Sequence, residues 1–502
     1  MDCLIAIAEI LALLLFLAPS APAAEPTPAA VIAEIRKSGG DVIVHGQARE
    51  NPVSGAELKL DGVINAWEHL KEVEGAQGEK PGKARIAVQF THGEVSDATL
   101  QRLKILPALT TLTLNQVKIP ADGLRHLHEL PQLQALDLCA AKVGDVEIKQ
   151  LAGLGRLKVL DLSSTQVSNA GAAQLQGLHE LRWLHLGQLS ITNDGLAHLK
   201  GLAKLQKLNL SLLHVTDAGL AHLRGLNELR SLDLSNTQVK GTGLKHLKSL
   251  RSLNLLRSGV DDAGLAHLDG LNQLEELNLS QTAIGDDGLG NLPQLPRLRL
   301  LNLTHTKITD VGLARFQRFP QLQTLGLIGV DVHGDGLAHL QAIPQLRSLV
   351  LGLTEMTDAG LGKIQGLTQL QSLMMLCPKV TNAGLAHLKK LEQLQELAIP
   401  YSPQFTDAGL EHLKGLTEMR NLDMSKTGIT DAGLTHLRGM TKLQSLELNS
   451  TNITDAGLEH LQALPNLQRL SLYATTVTPA GVATLKKALP KLSIDYSPRG
   501  PE

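Results

Sequence analysis

The feature that most constrains this chain is an internal repeat of 24 residues. Residues 217–222 read DAGLAH, and close relatives of this hexamer recur to the C-terminus. Successive copies of its glycine, the anchor, are 24 residues apart, except for a spacing of 21 after Gly243 and of 25 after Gly384. A chain of 502 residues is too long for one ordinary hydrophobic core, so a stacked array is favoured. The 17 residues of the anchor column are Thr99, Gly123, Glu147, Gly171, Gly195, Gly219, Gly243, Gly264, Gly288, Gly312, Gly336, Gly360, Gly384, Gly409, Gly433, Gly457 and Gly481.

The repeat at residues 227–250 shows what each unit folds into. Leu232 and Leu234 alternate with a polar residue, which is the period of two expected of a strand. Leu244 and Leu247 are spaced by three, which places them on one face of a short helix. Because one unit cannot bury its leucines alone, neighbouring units must stack. The pattern predicts parallel strands on the inside of the array and helices on the outside.

The residues around the anchor are typical of a helix start. Thirteen of the 17 repeats have Asp or Asn two residues before the anchor, where free backbone N–H groups favour an acceptor. The preceding Thr, such as Thr216, is an alternative cap, and Pro479 in the last repeat suits the first helical turn. We expect the anchor glycine to allow either a close approach between turn and helix or a positive φ.

These units resemble leucine-rich repeats, in the L-x-x-L-x-L motif read from Leu229 to Leu234 and in the D-A-G-L-x-x-L half. The second half resembles the GALA-type and cysteine-containing, ribonuclease-inhibitor-like subclasses. The resemblance covers residues 83–496 and implies an α/β solenoid curved like a horseshoe, with a parallel inner sheet and outer helices. It also implies a protein-binding role. One departure is a Thr where the family often has Asn or Cys in the turn, at Thr165, Thr237, Thr282, Thr306, Thr427 and Thr451.

The ends of the chain differ from the repeats. The apolar stretch Ile10–Ala18, followed by small residues, predicts a signal peptide over residues 1–24, cleaved after Ala23 or Ala24. A buried N-terminal helix is the alternative. Residues 25–82 are expected to form an N-terminal cap, with a helix near 29–37, a strand near 41–45 and a loop at 75–82. Residues 497–502 are expected to be a tail. No other stretch is long and apolar enough to cross a membrane.

Composition and motifs argue against catalysis and against several kinds of partner. The net charge is −2, which argues against nucleic acid, and three cysteines exclude a disulfide scaffold and a four-cysteine metal site. No phosphate-binding loop, H-E-x-x-H or G-x-S-x-G is present, so no catalytic residue, metal or cofactor is predicted. A histidine column three residues after the anchor is interpreted as structural, because one column cannot surround a metal. Its members are His126, His198, His222, His246, His267, His339, His387, His412, His436 and His460.

The residue between the paired strand leucines is expected to point to solvent on the inner face of the array. Asn254, Asn278 and Asn302 are candidates for an amide ladder there. The column as a whole reads Gln89, Thr113, Asp137, Asp161, His185, Asn209, Asp233, Asn254, Asn278, Asn302, Gly326, Val350, Met374, Ala398, Asp423, Glu447 and Ser471.

Four successive members of that column lack a polar side chain, and this break is the candidate ligand site. The loop Pro400–Gln404, which contains the extra residue of the longest repeat, lies beside it. Exposed apolar patches with polar surroundings usually mark interaction sites, and Tyr and Met are favoured in interface cores. The alternatives are drift within a degenerate repeat and cover by the loop. The candidate residues are Gly326, Ile328, Val350, Met374, Leu376, Ala398 and Tyr401.

The sequence therefore predicts a secreted or periplasmic, non-catalytic scaffold that binds a protein or peptide, possibly an envelope component, on a concave sheet. A structural or spacer protein of the cell envelope is the main alternative. An intracellular F-box-like adaptor is the other, although no convincing F-box precedes the repeats and a signal peptide argues against it.

Overall fold

The computed structural model describes residues 27–45 and 85–498. Each full repeat contains a short strand, a turn and a short α- or 3₁₀-helix, as the leucine spacing predicts. The strands are β1 Gly40–His45, β2 Arg85–Phe90, β3 Gly93–Glu94, β4 Leu109–Leu114, β5 Val117–Lys118, β6 Ala135–Asp137, β7 Val159–Asp161, β8 Trp183–His185, β9 Lys207–Asn209, β10 Ser231–Asp233, β11 Ser252–Asn254, β12 Glu276–Asn278, β13 Leu300–Asn302, β14 Thr324–Ile328, β15 Ser348–Gly352, β16 Ser372–Leu376, β17 Glu396–Ala398, β18 Asn421–Asp423, β19 Ser445–Glu447, β20 Arg469–Thr475 and β21 Ser493–Pro498.

The helices are short, and many repeats have 3₁₀ in place of α geometry. The α-helices are α1 Pro28–Lys37, α2 Asp97–Arg102, α3 Asp145–Ile148, α4 Asn169–Ala173, α5 Asn193–Leu196, α6 Asp217–Leu220, α7 Asp286–Asn291, α8 Asp310–Leu313, α9 Asp358–Leu361, α10 Asn382–Leu385, α11 Asp407–Glu411, α12 Asp455–Leu461 and α13 Pro479–Ala488. The 3₁₀-helices are Leu103–Ile105, Gly123–Glu129, Lys149–Leu151, Gln174–Gly177, Ala197–Leu199, Ala221–Leu223, Leu244–His246, Gly264–Leu268, Ala314–Arg318, Asp335–Ala342, Gly362–Gly366, Ala386–Lys390 and Gly433–Leu437. No helix among the described residues is long and apolar enough to cross a membrane.

The chain divides into two compact units, Met1–Val239 and Lys240–Glu502. In the first unit, β1 pairs antiparallel with β2, and β2, β4 and β6 to β10 then pair in parallel in chain order. The two-residue strands β3 and β5 form a separate parallel pair. In the second unit, β11 to β21 pair in parallel in chain order.

The ends of the array are only partly described. Of residues 25–82, the described part contains α1 and β1, which match the predicted helix and strand. The predicted signal segment 1–24 and the loop at 75–82 lie outside the described residues. At the other end, β21 continues to Pro498, two residues into the segment expected to be a tail, and pairs with β20. Residues 499–502 also lie outside the described part.

The core is a stack of leucines from successive repeats. Leu232 and Leu234 are 1% and 0% exposed, and their equivalents in other repeats are buried in the same way. The threonine that replaces the family's Asn or Cys completes the turn after the strand. The hydroxyl of Thr237 donates to the carbonyl of Leu234 at 2.6 Å, and Thr282, Thr306, Thr427 and Thr451 make the equivalent bond. This hydroxyl satisfies a buried carbonyl, which explains why Thr suits the column.

The Asp or Asn before the anchor binds the following repeat, and this inter-repeat contact was not predicted. Asp407 accepts the backbone N–H of Thr430 at 2.8 Å through Oδ1 and the Thr430 hydroxyl at 2.7 Å through Oδ2. A Cβ placed on the anchor Gly433 would lie less than 3.0 Å from Asp407 Oδ1. Gly433 is therefore glycine because a neighbour's carboxylate occupies the space, and at most other anchors an Asp or Asn oxygen of the preceding repeat does the same; Gly123, Gly264 and Gly360 instead meet a leucine or backbone atom. Of the two explanations from sequence, close approach is right and positive φ is wrong, since no anchor glycine has a positive φ.

A positive φ does occur in most repeats, but at the turn that follows the strand and mostly at residues other than glycine; Cys377 is an exception. Leu353 and Tyr401 have φ of 51° and 58°. The backbone N–H of Leu353 donates to the carbonyl of Leu376 in the next repeat at 2.8 Å, and that of Tyr401 donates to Ser425 at 2.9 Å. These inter-repeat bonds offset the cost of the left-handed conformation.

Candidate functional site

The open face is the side of the sheet that carries the residues alternating with the buried leucines. Most of its central column is half-buried, and the prediction that the column points to solvent is wrong for Thr113, Asp137 and Asp161, which are 6%, 1% and 3% exposed. The predicted amide ladder of Asn254, Asn278 and Asn302 stays a prediction. The Oδ1 atoms of Asn278 and Asn302 accept the backbone N–H two residues further on, in Ser280 and Thr304, at 3.0 Å each. Each amide therefore closes its own turn.

The four non-polar members of the column form a continuous row across adjacent strands. Gly326, Val350, Met374 and Ala398 are direct register partners in β14 to β17. None of these side chains can accept the backbone N–H that Asn302 accepts in the preceding repeat. The ladder instead continues for two more residues in β14, β15 and β16, which are five residues long where β13 has three. The break in the polar column thus lengthens three strands.

The added strand residues extend the patch by a second row. Ile328, Gly352 and Leu376 are register partners in β14, β15 and β16. A Cβ on Gly352 would lie 2.9 Å from Leu376 Cβ and 3.6 Å from Ile328 Cγ1, so the two apolar side chains close over the glycine. The structure therefore brings six of the seven candidate residues into one surface on the open face of the second unit.

Two exposed side chains from the turns lie beside this surface, and one of them was missed. Tyr401, the seventh candidate, is 65% exposed, and Lys426 Nζ lies 4.2 Å from the centroid of its ring. Leu353 is 61% exposed and immediately follows Gly352. Leu353 could have been found from the sequence, because it occupies the same column as Tyr401, 48 residues earlier. We call the row residues together with Ile328, Leu376, Leu353 and Tyr401 the apolar patch.

Polar groups border the apolar patch. Asn302 packs against Gly326, and the His305 ring packs against Gly329, on the side of β13. On the side of β18, Asp423 faces Glu447 across β18 and β19. Burial, and secondarily the charge of Asp423, raises the pKa of Glu447 above its usual value. An apolar centre within a polar border is the arrangement found at protein interfaces.

Comparison with known proteins identifies the repeat. Family models described as leucine rich repeat match residues 131–191 and, for a second model, residues 271–292, 295–316 and 439–461. The chain carries leucine-rich repeats. A leucine-rich-repeat protein from Leptospira interrogans is similar at 22% identity and a TM-score of 0.52, covering 74% of this chain and 91% of that one. The TLR13–ssRNA13 complex is similar at 20% identity and a TM-score of 0.57, covering 81% and 62%. These likenesses show the fold; no curated protein matches the chain.

The histidine column presents one imidazole in each of ten leucine-rich repeats. His198 Nδ1 lies 2.5 Å from Gln176 Nε2, and His460 Nδ1 lies 2.9 Å from an Arg438 guanidinium nitrogen. Across residues 27–45 and 85–498, no group of three or more His, Cys, Asp or Glu side chains is placed to hold a metal ion. Leucine-rich-repeat proteins are in general non-catalytic binding scaffolds.

Proposed function

We propose that this chain is an exported, non-catalytic scaffold that binds a protein or peptide through the apolar patch on its open face. The observation that carries the proposal is the continuous row from Gly326 to Ala398, with exposed Leu353 and Tyr401 beside it. Burying such a row against a partner would contribute roughly 25 cal/mol per Å² of apolar surface. Tyrosine is one of the residues enriched among the energetic anchors of interfaces.

The net charge and the sequence of the N-terminus support the kind of partner and the location. The similar TLR13 structure holds ssRNA, but the net charge of −2 here favours a protein over a polyanion. Export is supported by the apolar stretch Ile10–Ala18 and the small residues that follow it. The D-A-G-L half of the repeat supports placement near the GALA-type and ribonuclease-inhibitor-like subclasses.

The patch is tested by the double substitution Val350→Asp with Met374→Asp. Both side chains are half-buried on the open face, so two carboxylates there should abolish binding and leave the melting temperature nearly unchanged. The mature chain would be used to capture partners from envelope fractions, and each captured protein would be purified and its Kd measured by calorimetry.

The matched control is Asn254→Asp with Asn278→Asp, which adds two carboxylates to the same column outside the patch. Retained binding by the control and loss by the patch variant is the expected pair of results. Equal binding by both variants would place the contact elsewhere, and loss of the folded state in the patch variant would show that these side chains are core.

A further inference from the structure

Three neighbouring strands of the first unit place titratable side chains side by side on the open face. Asp137 in β6 is the register partner of Asp161 in β7, which is in turn the partner of His185 in β8. Exposure decreases along this row. The side chains of His185 and Asp161 are 12% and 4% exposed, and the whole Asp137 residue is 1% exposed. Asp137 is therefore the member furthest from water.

The two oxygens of Asp137 have different surroundings. Oδ1 accepts the backbone N–H of Cys139 at 2.8 Å. Oδ2 is buried and has no hydrogen-bond partner within the described part of the chain. In the ionised form, this oxygen would be a charged acceptor with no donor, which costs several kcal/mol in a buried site. The adjacent Asp161 carboxylate would add repulsion.

A second buried oxygen without a partner belongs to Asn115, in the turn that directly follows β4. Thr113 in β4 faces Asp137, and Asn115 is two residues further along the same side. Asn115 is 5% exposed, and its Oδ1 also has no hydrogen-bond partner among the described residues. Both atoms of this pair are therefore acceptors, and neither is supplied with a donor.

Another pair of repeats shows what these two positions do when a donor is present. Asn449 and Ser471 are 22 residues apart and occupy the columns of Asn115 and Asp137. The Ser471 hydroxyl donates to Asn449 Oδ1 at 2.7 Å. Asn115 Oδ1 and Asp137 Oδ2 stand in the same two columns, so a hydrogen on Asp137 Oδ2 would have Asn115 Oδ1 as its acceptor. A hydrogen shared directly between two oxygens needs no space for a bridging water molecule, which suits a site that is closed to solvent.

We propose that Asp137 carries a proton on Oδ2 near neutral pH and donates it to Asn115 Oδ1, which makes a pH-dependent link between β4 and β6. The charged and titratable groups that face it are Asp161 from β7 and, beyond Asp161, His185 from β8. Burial, followed by the charge of Asp161, raises the pKa of Asp137 to about 7, against the opposing effects of the Cys139 N–H and His185. From β4 and the turn after it, Thr113 and Asn115 bring no charge.

The sign of the pH effect follows from the direction of this shift. The pKa of an Asp is about 3.9 in an unfolded chain, so folding favours the protonated form. The stabilisation is complete below pH 4, declines as the pH rises towards 7 and changes little above it. Local opening of the β4–β6 region should increase roughly an order of magnitude from pH 5 to 6, about fivefold from 6 to 7, and little beyond.

Hydrogen exchange of the full chain between pH 5 and 8, corrected for intrinsic rates, tests this link at residues 135–141. In the wild type, the corrected exchange rate at these residues should increase with pH as given in the preceding paragraph. Asp137→Asn should be flat, because its amide donates to Asn115 at every pH. Asp233→Asn is the matched control, since Asp233 lies in the same column, is half-buried and accepts the Ser235 N–H at 2.8 Å. This control should keep the wild-type profile.

A second variant decides the matter if Asp137→Asn does not fold. Asn115→Leu removes the acceptor of the protonated form, so the midpoint of the exchange transition should move to lower pH. A flat wild-type profile would overturn the proposal, because it would mean that Asp137 is ionised and that the Asn115 amide is turned to offer its N–H₂ group. An unchanged midpoint in Asn115→Leu would overturn it as well.

Discussion

Most repeats contribute an Asp or Asn side chain that binds the next repeat, and this contact explains two exceptions in the anchor column. Thr99 replaces glycine in the first repeat, where no earlier repeat supplies a carboxylate. Glu147 replaces glycine after a repeat that has Ala121 in the Asp position. Glu147 Oε2 accepts the N–H of Gly144 at 2.8 Å, while in the following repeat Asp145 Oδ1 accepts the equivalent N–H of Ser168 at 2.8 Å. This repeat thus supplies from within what most of the others receive from a neighbour.

Because Glu147 replaces an acceptor that residue 121 would otherwise supply, we expect substitutions at these two positions to have coupled effects on stability. Glu147→Gly should lower the free energy of unfolding by about 1–3 kcal/mol, because the Gly144 N–H loses its partner. Ala121→Asp should cost about as much, since its carboxylate would meet the Glu147 side chain. The double variant should come within about 1 kcal/mol of wild type, as measured by urea denaturation. Additive losses would show that the two positions are independent.

At the scale of the element, the turn after most strands holds a left-handed residue that is not glycine. The non-glycine members of this column include Leu212, Arg257, Leu353, Tyr401 and Lys426. The conformation costs such a residue about 1–2 kcal/mol. Since these side chains point away from the core, selection can place almost any residue there, and the turn becomes the part of each repeat most free to carry specificity.

Leu353 tests whether the cost of the left-handed conformation exceeds the contribution of the side chain to stability. Leu353→Gly should leave the free energy of unfolding unchanged or raise it by about 1 kcal/mol, because relief of the left-handed conformation exceeds the entropy of glycine and the side chain is 61% exposed. Leu353→Val should lower it, since a β-branched residue tolerates positive φ poorly. Thermal unfolding of the two variants distinguishes them; a less stable glycine variant would show that Leu353 contributes packing.

At the scale of the molecule, the short repeat lies beside the division between the two compact units at Val239 and Lys240. Three residues are missing between Gly243 and Gly264, and the repeat has only the three-residue 3₁₀-helix Leu244–His246. A shorter helical segment closes fewer hydrogen bonds. We expect faster hydrogen exchange across residues 246–256 than in the flanking repeats. Uniform protection there would contradict this.

How much of this could be read from the sequence depends on whether a contact lies within one repeat or between two. The period predicted the strands, the helices and the buried leucines, because these follow from residues inside one unit. The row from Gly326 to Ala398 was predicted because a column can be read down the array. The partner of Asp407 could not be predicted from one unit, since it is Thr430 of the next. The burial of Asp137 was missed because all positions on the open face were expected to be exposed to solvent.

The carboxylates that bind a neighbouring repeat all bind in the same direction along the array, so the last repeat is not equivalent to the others. Asp455 Oδ1 accepts the Thr478 N–H, and the position equivalent to Asp455 in the last repeat is Pro479, which offers no acceptor. A tandem duplication of any regular internal stretch of 24 residues inherits both a carboxylate and its recipient, wherever the breakpoints fall. A copy of the last repeat placed in the interior would leave its successor without one. Duplication of a regular repeat N-terminal to α13 therefore preserves the contact between neighbours, whereas duplication of the repeat that contains α13 does not.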